Sequence, residues 1–171
     1  ASLGCAARRP AVGGDSMGGN FAAVICQELK RRGLPQPSLQ LLIYPAVDMV
    51  TQGSSMSEFA DAFPLTRETI DWFLENYLPP GADRTDLRLS PALAPDVSGL
   101  APALVFAAGF DMLASSVEAY AEKLQAAGVR APHQRFDSLA HGFTAFTGAI
   151  PAADAACRSM AQAFGRALRE N

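Results

Sequence analysis

The chain is 171 residues long, 49% hydrophobic and 18% charged, enough for one domain with a proper core and unlike a disordered segment. Its formal net charge of −3 and pI near 5.3 argue against nucleic acid or an anionic membrane as partner, since both call for a basic face. No apolar stretch approaches the roughly 20 residues needed to span a bilayer, and the N-terminus lacks the charged start, apolar run and cleavage site of a signal peptide.

In chain order, Arg9-Pro10-Ala11-Val12-Gly13 reads as a short strand running into a glycine-rich turn. Residues 16–32 read as a helix. Phe21, Val24, Ile25 and Leu29 recur at helical spacing, Lys30-Arg31-Arg32 suit a helix C-terminus, and Gly33 with Pro35 ends it. Leu39 to Tyr44 is an apolar run before Pro45, the pattern of a strand buried on both faces. From Asp48 to about Leu100 the chain is rich in Ser, Pro, Asp and Gly and holds one clear helix. Its Ile70, Phe73, Leu74 and Tyr77 sit at i, i+3, i+4 and i+7, with Thr66 as N-cap and Pro79-Pro80-Gly81 as the stop. An irregular excursion of this length inside a compact domain predicts a lid or binding segment.

Ala103 to Ala108 reads as a third buried strand. Ser115 and Glu118 predict a capping box for a helix over 115–127, closed by Gly128. His133 to Phe136 reads as a fourth strand, and a helix over 152–169 places Ala156, Cys157, Met160, Phe164 and Leu168 on one face. Strands alternating with helices predict an α/β fold, a mainly parallel sheet with helices on both faces, over residues 1–171 with 48–100 as a cap-like insertion. The three cysteines, Cys5, Cys26 and Cys157, are an odd number without metal-like spacing. Cys26 and Cys157 occupy small apolar positions of helical patterns, so reduced thiols in a cytoplasmic protein are expected.

Gly14-Asp15-Ser16-Met17-Gly18 matches G-x-S-x-G, and it follows a strand and opens a helix, the setting that the motif's mechanics require. The turn must be sharp enough to lift the serine hydroxyl above the sheet, and flanking glycines keep Cβ atoms away where strand and helix pack closely. The helix start aims unpaired N–H groups at the hydroxyl, with the Met17 N–H as one oxyanion-hole donor. A serine at a helix start is more often only an N-cap. A phosphate loop is the other reading of such glycines, but the G-x-x-x-x-G-K-[ST] pattern is absent, with no Lys before Lys30.

A serine nucleophile needs a base, and the chain has two histidines. His133 falls within a predicted strand, where a structural role fits better. His141, in Leu139-Ala140-His141-Gly142-Phe143, follows the last strand at the carboxyl edge of the sheet, where functional groups of such sheets collect. The acid should come between Ser and His, after a strand. Asp111 satisfies this through the short turn Gly109-Phe110, with Asp48 and Asp137 as competitors and a turn or capping role as the plain alternative. The ordered set Ser16, Asp111, His141, each after a different strand, is more specific than any member alone.

These residues resemble a known family. Gly13-Gly14-Asp15-Ser16-Met17-Gly18-Gly19-Asn20 is similar to the nucleophile block of the hormone-sensitive-lipase-like esterases, a branch of the α/β-hydrolases. Tyr44-Pro45, Leu89-Ser90-Pro91, Gly109-Phe110-Asp111-Met112-Leu113, Tyr120-Ala121-Glu122-Lys123-Leu124 and His141-Gly142-Phe143 resemble its later segments in order, although Pro is commoner than Met112 in the acid loop. The resemblance implies a serine carboxylesterase acting on short- to medium-chain esters through a Ser16-Asp111-His141 triad and an acyl-enzyme. Gly14, Asp15, Gly18 and Gly19 form the nucleophile turn, and no metal or cofactor is needed. The partner implied is a small-molecule ester, with no nucleic acid and no membrane span, and homo-oligomerisation is left open.

The family places a His-Gly-Gly-Gly type loop upstream of the nucleophile, and no such segment lies in this sequence, which opens at Ala1 without an initiator Met. The chain therefore resembles strands five to eight of an eight-stranded fold. Losing one oxyanion donor typically lowers rate about 10²–10³-fold, and half a sheet leaves a central strand with an open flank. These 171 residues alone are therefore expected to be unstable and weakly active or inactive. A serine peptidase or other α/β-hydrolase chemistry, a non-catalytic homologue and an inactive product of a broken gene are the other readings.

Overall fold

The computed structural model describes residues 9–51 and 53–170; Cys5 lies outside the described residues. Four strands, β1 (Val12–Asp15), β2 (Gln40–Ile43), β3 (Ala103–Phe110) and β4 (His133–Ala140), form one sheet in the order β1-β2-β3-β4. All three pairings are parallel, with Val12 opposite Gln40, Gln40 opposite Ala103, and Val105 opposite His133. Because every strand points the same way, the ends of β1, β3 and β4 that carry the candidate site residues open on one edge of the sheet.

Helices cover the sheet on both faces. On one, α1 (Met17–Arg31) and α4 (Ala114–Ala126) bury Ala22, Ala23, Cys26, Val117, Ala121 and Leu124 against Leu42, Val105 and Ala107. On the other, α5 (Pro151–Glu170) packs Ala153, Ala156, Met160 and Ala167 on Leu104, Phe106 and Ala108. Each buried Leu, Met or Phe side chain contributes about 1.5–3 kcal/mol to holding these layers. The β2 run is less evenly buried than its composition predicts. Gln40 and Leu42 are fully buried, while Leu41 and Ile43 are half-buried because α5, the helix on their face among the described residues, packs on β3 and β4.

Several boundaries differ from the sequence reading, among them Gly109-Phe110, read as a turn, which continue β3. Gly14 and Asp15 are strand rather than turn: β1 starts at Val12, later than Arg9, and runs through Gly13 to Asp15. A Cβ on Gly13 would lie 2.8 Å from that of Leu41, so the glycine serves a close strand approach. Strand β4 continues past Phe136 to Ala140; its residues are mostly exposed, so it lacks a continuous apolar run. The capping box at Ser115 does not form, because α4 begins a residue earlier, with Leu113 at its N-cap and no side-chain cap. Ser115 instead exchanges hydrogen bonds with Ser55, its Oγ accepting from the Ser55 N–H at 3.1 Å and its N–H donating to the Ser55 Oγ at 3.1 Å.

The excursion between β2 and β3 contains a short helix α2 (Ser54–Glu58), which has no apolar periodicity to announce it, and α3 (Arg67–Tyr77). Thr66 caps α3 as its residue type predicts, its hydroxyl accepting from the Thr69 N–H at 3.1 Å. No residue of α3 is fully buried. Its Ile70 packs partly on the core, while Trp72, Phe73 and Tyr77 remain more than half exposed.

Candidate active site

Ser16 sits between β1 and α1 with φ 51° and ψ −120°, a left-handed conformation that a non-glycine residue adopts only when its surroundings enforce it. Those surroundings are visible. The Ser16 N–H donates to the Ile43 carbonyl at 3.0 Å, and its own carbonyl accepts from the N–H groups of Asn20 and Ala46, each at 3.1 Å. The turn closes so tightly that a Cβ on Gly14 would stand 2.4 Å from the Gly18 carbonyl carbon, and one on Gly19 would stand 2.7 Å from the Pro45 Cβ. Gly18 differs, since its Cβ would meet only Asp15 Oδ1 at 3.9 Å; it contributes backbone for Gly14 to approach. Met17 opens α1, so its N–H belongs to the first-turn amides that lack an intrahelical acceptor.

Asp111 follows β3 with a side chain fully shielded from solvent. Its Oδ1 accepts the Leu113 N–H at 2.9 Å, and its carbonyl accepts from the Ala114 N–H at 3.1 Å, so it also organises the start of α4. Its Oδ2 lies 2.7 Å from Nδ1 of His141, which follows β4 and is itself buried. On the far side of the ring, Nε2 lies 3.0 Å from Ser16 Oγ. Gly142, at φ 74°, gives the backbone reversal that turns His141 toward the serine. An ionised carboxylate only accepts, so Nδ1–H donates to Asp111, which leaves Nε2 to accept from the Ser16 hydroxyl. The structure thus brings Ser16, His141 and Asp111, from the ends of three strands, into one chain of hydrogen bonds.

The competing residues lie elsewhere. Asp48 is tied to its own turn, accepting the N–H groups of Val50 and Thr51, each at 2.8 Å. Asp137 lies within β4, exposed, with Arg135 2.9 Å away. His133 begins β4 on the surface. Sequence reasoning passed over Tyr44, treated only as the end of a strand. Its ring packs on the His141 imidazole with centroids 4.7 Å apart. Among the described residues no cluster of three His, Cys, Asp or Glu side chains could hold a metal ion, and no helix is long and apolar enough to cross a membrane.

A cleft of about 520 Å³ opens at Ser16 and His141. Met49, Leu65 and the α3 residues Ile70, Phe73, Leu74 and Tyr77 line its apolar side, while Asp15 contributes charge near the turn. Such a cavity accepts an apolar group and presents few polar groups to it.

A strained serine on a strand-to-helix turn, bonded to a histidine and a buried aspartate at one edge of a parallel sheet, defines the class: an α/β hydrolase. The chain belongs to the alpha/beta hydrolase fold family, whose model matches residues 1–145, and within it to the hormone-sensitive-lipase-like esterases. It is 49% identical over 140 residues to the carboxylic ester hydrolase LipN of Mycobacterium tuberculosis, covering 79% of this chain and 37% of that protein. It is 36% identical over 154 residues to an ethyl acetate hydrolase of Pseudomonas putida, covering 90% of this chain and 48% of that one. The crystal structure of an alpha/beta hydrolase enzyme from the metagenome of Lake Arreo superposes with a TM-score of 0.83 at 42% identity, covering 91% of this chain and 50% of that chain. The chain spans about half the length, or less, of the curated relatives it matches.

Proposed function

We propose that the protein carrying this chain is a serine carboxylesterase in which Ser16 attacks, His141 is the base and Asp111 orients it. The hydrogen-bond chain from Ser16 through His141 to Asp111, opening on an apolar cleft, is the observation that carries this reading. His141 Nε2 takes the hydroxyl proton as Ser16 Oγ bonds to the ester carbonyl carbon, and the imidazolium then gives that proton to the departing alkoxide. A water deprotonated by His141 adds to the acyl carbon, and the acid leaves as the proton returns to Ser16. Asp111 holds the tautomer and stabilises the positive imidazole. The Met17 N–H stabilises the oxyanion, with the helix dipole of α1 behind it.

The substrate we assign is a short- to medium-chain carboxylic ester whose apolar part lies against Leu65, Ile70 and Leu74. That choice follows from the cleft's lining and from relatives named for ester and ethyl acetate hydrolysis. Residues 48–100 act in this reading as a cap-like segment of one catalytic unit, and a cytoplasmic location with reduced thiols belongs to the same proposal. The test is hydrolysis of a short-chain aryl ester by the protein as its gene encodes it, beside Ser16→Ala. Turnover that disappears with Ser16 supports the reading, and turnover indifferent to Ser16 rejects it.

A further inference from the structure

Among the described residues, two non-glycines hold positive φ: Ser16 at 51° and Tyr44 at 33°. Strained backbone persists where neighbours over-determine it and clusters at functional sites. For Ser16 the attacking hydroxyl accounts for it. Tyr44 follows β2 beside the site, with its N–H donating to the Phe106 carbonyl at 2.7 Å and its side chain fully buried.

The Tyr44 side chain touches His141 and the residue that precedes Ser16. Its ring lies against the His141 imidazole at 54° and against Phe143 edge-on, with centroids 5.2 Å apart. That places a wall beside the imidazole and hinders its rotation away from Ser16. Its hydroxyl donates to Oδ2 of Asp15, the residue before Ser16, at 3.3 Å. The same hydroxyl bonds with the Thr144 hydroxyl, three residues after His141. A phenol has one proton, and the Asp15 carboxylate can only accept. The polarity is therefore set: Thr144 donates to Tyr44, and Tyr44 donates to Asp15. Burial pushes the Tyr44 hydroxyl up to about 12, so it keeps its proton through the working range.

Resting on the serine esterase reading, we propose that Tyr44 is a positioning residue that clamps the serine turn to the histidine loop and so holds the Ser16–His141 distance. It makes no bond to the reacting atoms. Displacement of a reacting group by about 1 Å can lower rate about 10²-fold, and a loosened clamp should displace it by less. Removing the hydroxyl should therefore lower kcat about tenfold.

The experiment measures aryl-ester kinetics of the protein as its gene encodes it for Tyr44→Phe, Thr144→Val, Thr144→Ser, the Tyr44→Phe/Thr144→Val pair and Ser16→Ala. Tyr44→Phe keeps the ring, and Thr144 is only partly buried, so folding of both can be checked by thermal unfolding. The proposal expects kcat to fall in Tyr44→Phe and Thr144→Val with KM nearly unchanged. It also expects Thr144→Ser to retain most activity and the pair to lose no more than the worse single variant. A kcat within twofold of the parent in either single variant, a loss confined to KM, or fully additive losses would overturn it. If turnover survives Ser16→Ala, the esterase reading fails and this inference falls with it. If Ser16→Ala abolishes turnover while Tyr44→Phe keeps kcat, the clamp alone is wrong.

Discussion

Replacing Asp111 by Asn exchanges one oxygen for an NH₂ in a site with two donors to satisfy. Oδ1 takes the Leu113 N–H at 2.9 Å, and Oδ2 takes the His141 Nδ1–H at 2.7 Å. An asparagine whose oxygen stays on Leu113 turns its NH₂ to Nδ1. The imidazole must then accept there and carry its proton on Nε2, aimed at Ser16 Oγ 3.0 Å away, where no base is left. Flipping the amide restores the productive tautomer but sets two donors against each other at Leu113, a buried mismatch that costs about 1–3 kcal/mol. That term alone corresponds to roughly 5- to 150-fold at 1.36 kcal/mol per tenfold. Loss of the carboxylate charge that stabilises the imidazolium adds to it, and wrong-tautomer variants of this kind in serine hydrolases lose about 10⁴-fold. The expected result is a kcat for aryl-ester hydrolysis lower by about 10³–10⁴, with KM little changed because Asp111 does not line the cleft. A folded Asp111→Asn protein, checked by thermal unfolding, with kcat within tenfold of the parent would refute the assignment of Asp111.

Gly19→Ala should lower the unfolding midpoint by several degrees, since its Cβ would meet the Pro45 Cβ at 2.7 Å and the Gly14 carbonyl oxygen at 3.2 Å, overpacking of a kind that costs about 1–3 kcal/mol. An unchanged midpoint would show that the turn can relax. Burial holds the Tyr44 and Tyr120 hydroxyls up at about 12, against 10.0 for the free phenol. Folded values above unfolded ones mean stability fully present below about pH 10 and lost as pH rises through about 12. Urea midpoints measured from pH 9 to 12 should therefore decline, and a flat profile would count against burial of both hydroxyls.

The layering of this fold was legible because its strands are short apolar runs between turn residues and its helices carry clear apolar faces. Thr66 announced α3 by its residue type, and the Ala103–Ala108 run announced a strand that is buried along nearly its whole length. Local signals failed where the cause is tertiary. Gly14 reads as a turn residue, yet it lies in β1, and a Cβ there would stand 2.4 Å from the Gly18 carbonyl carbon. Ser115 has the residue type of a cap, yet Ser55, 60 residues away in sequence, claims its hydroxyl and N–H. At the site, Ser16, Asp111 and His141 stood out by motif and by their places after strands. Tyr44-Pro45 stood out only as a strand end and Thr144 not at all, and their bond spans 100 residues of sequence, so only the folded chain displays it.

The parallel sheet has a consequence for how the protein can be followed as it folds. Ser16 and His141 are separated by 125 residues, and every strand must be in register before their side chains meet. Contacts of such long range are closed late and slowly. Reactivity of Ser16 toward an acylating or phosphonylating probe should therefore report on the population in which the whole sheet is assembled. A compact intermediate with its helices formed and β4 unpaired would stay silent to such a probe, whereas circular dichroism would already count it as structured.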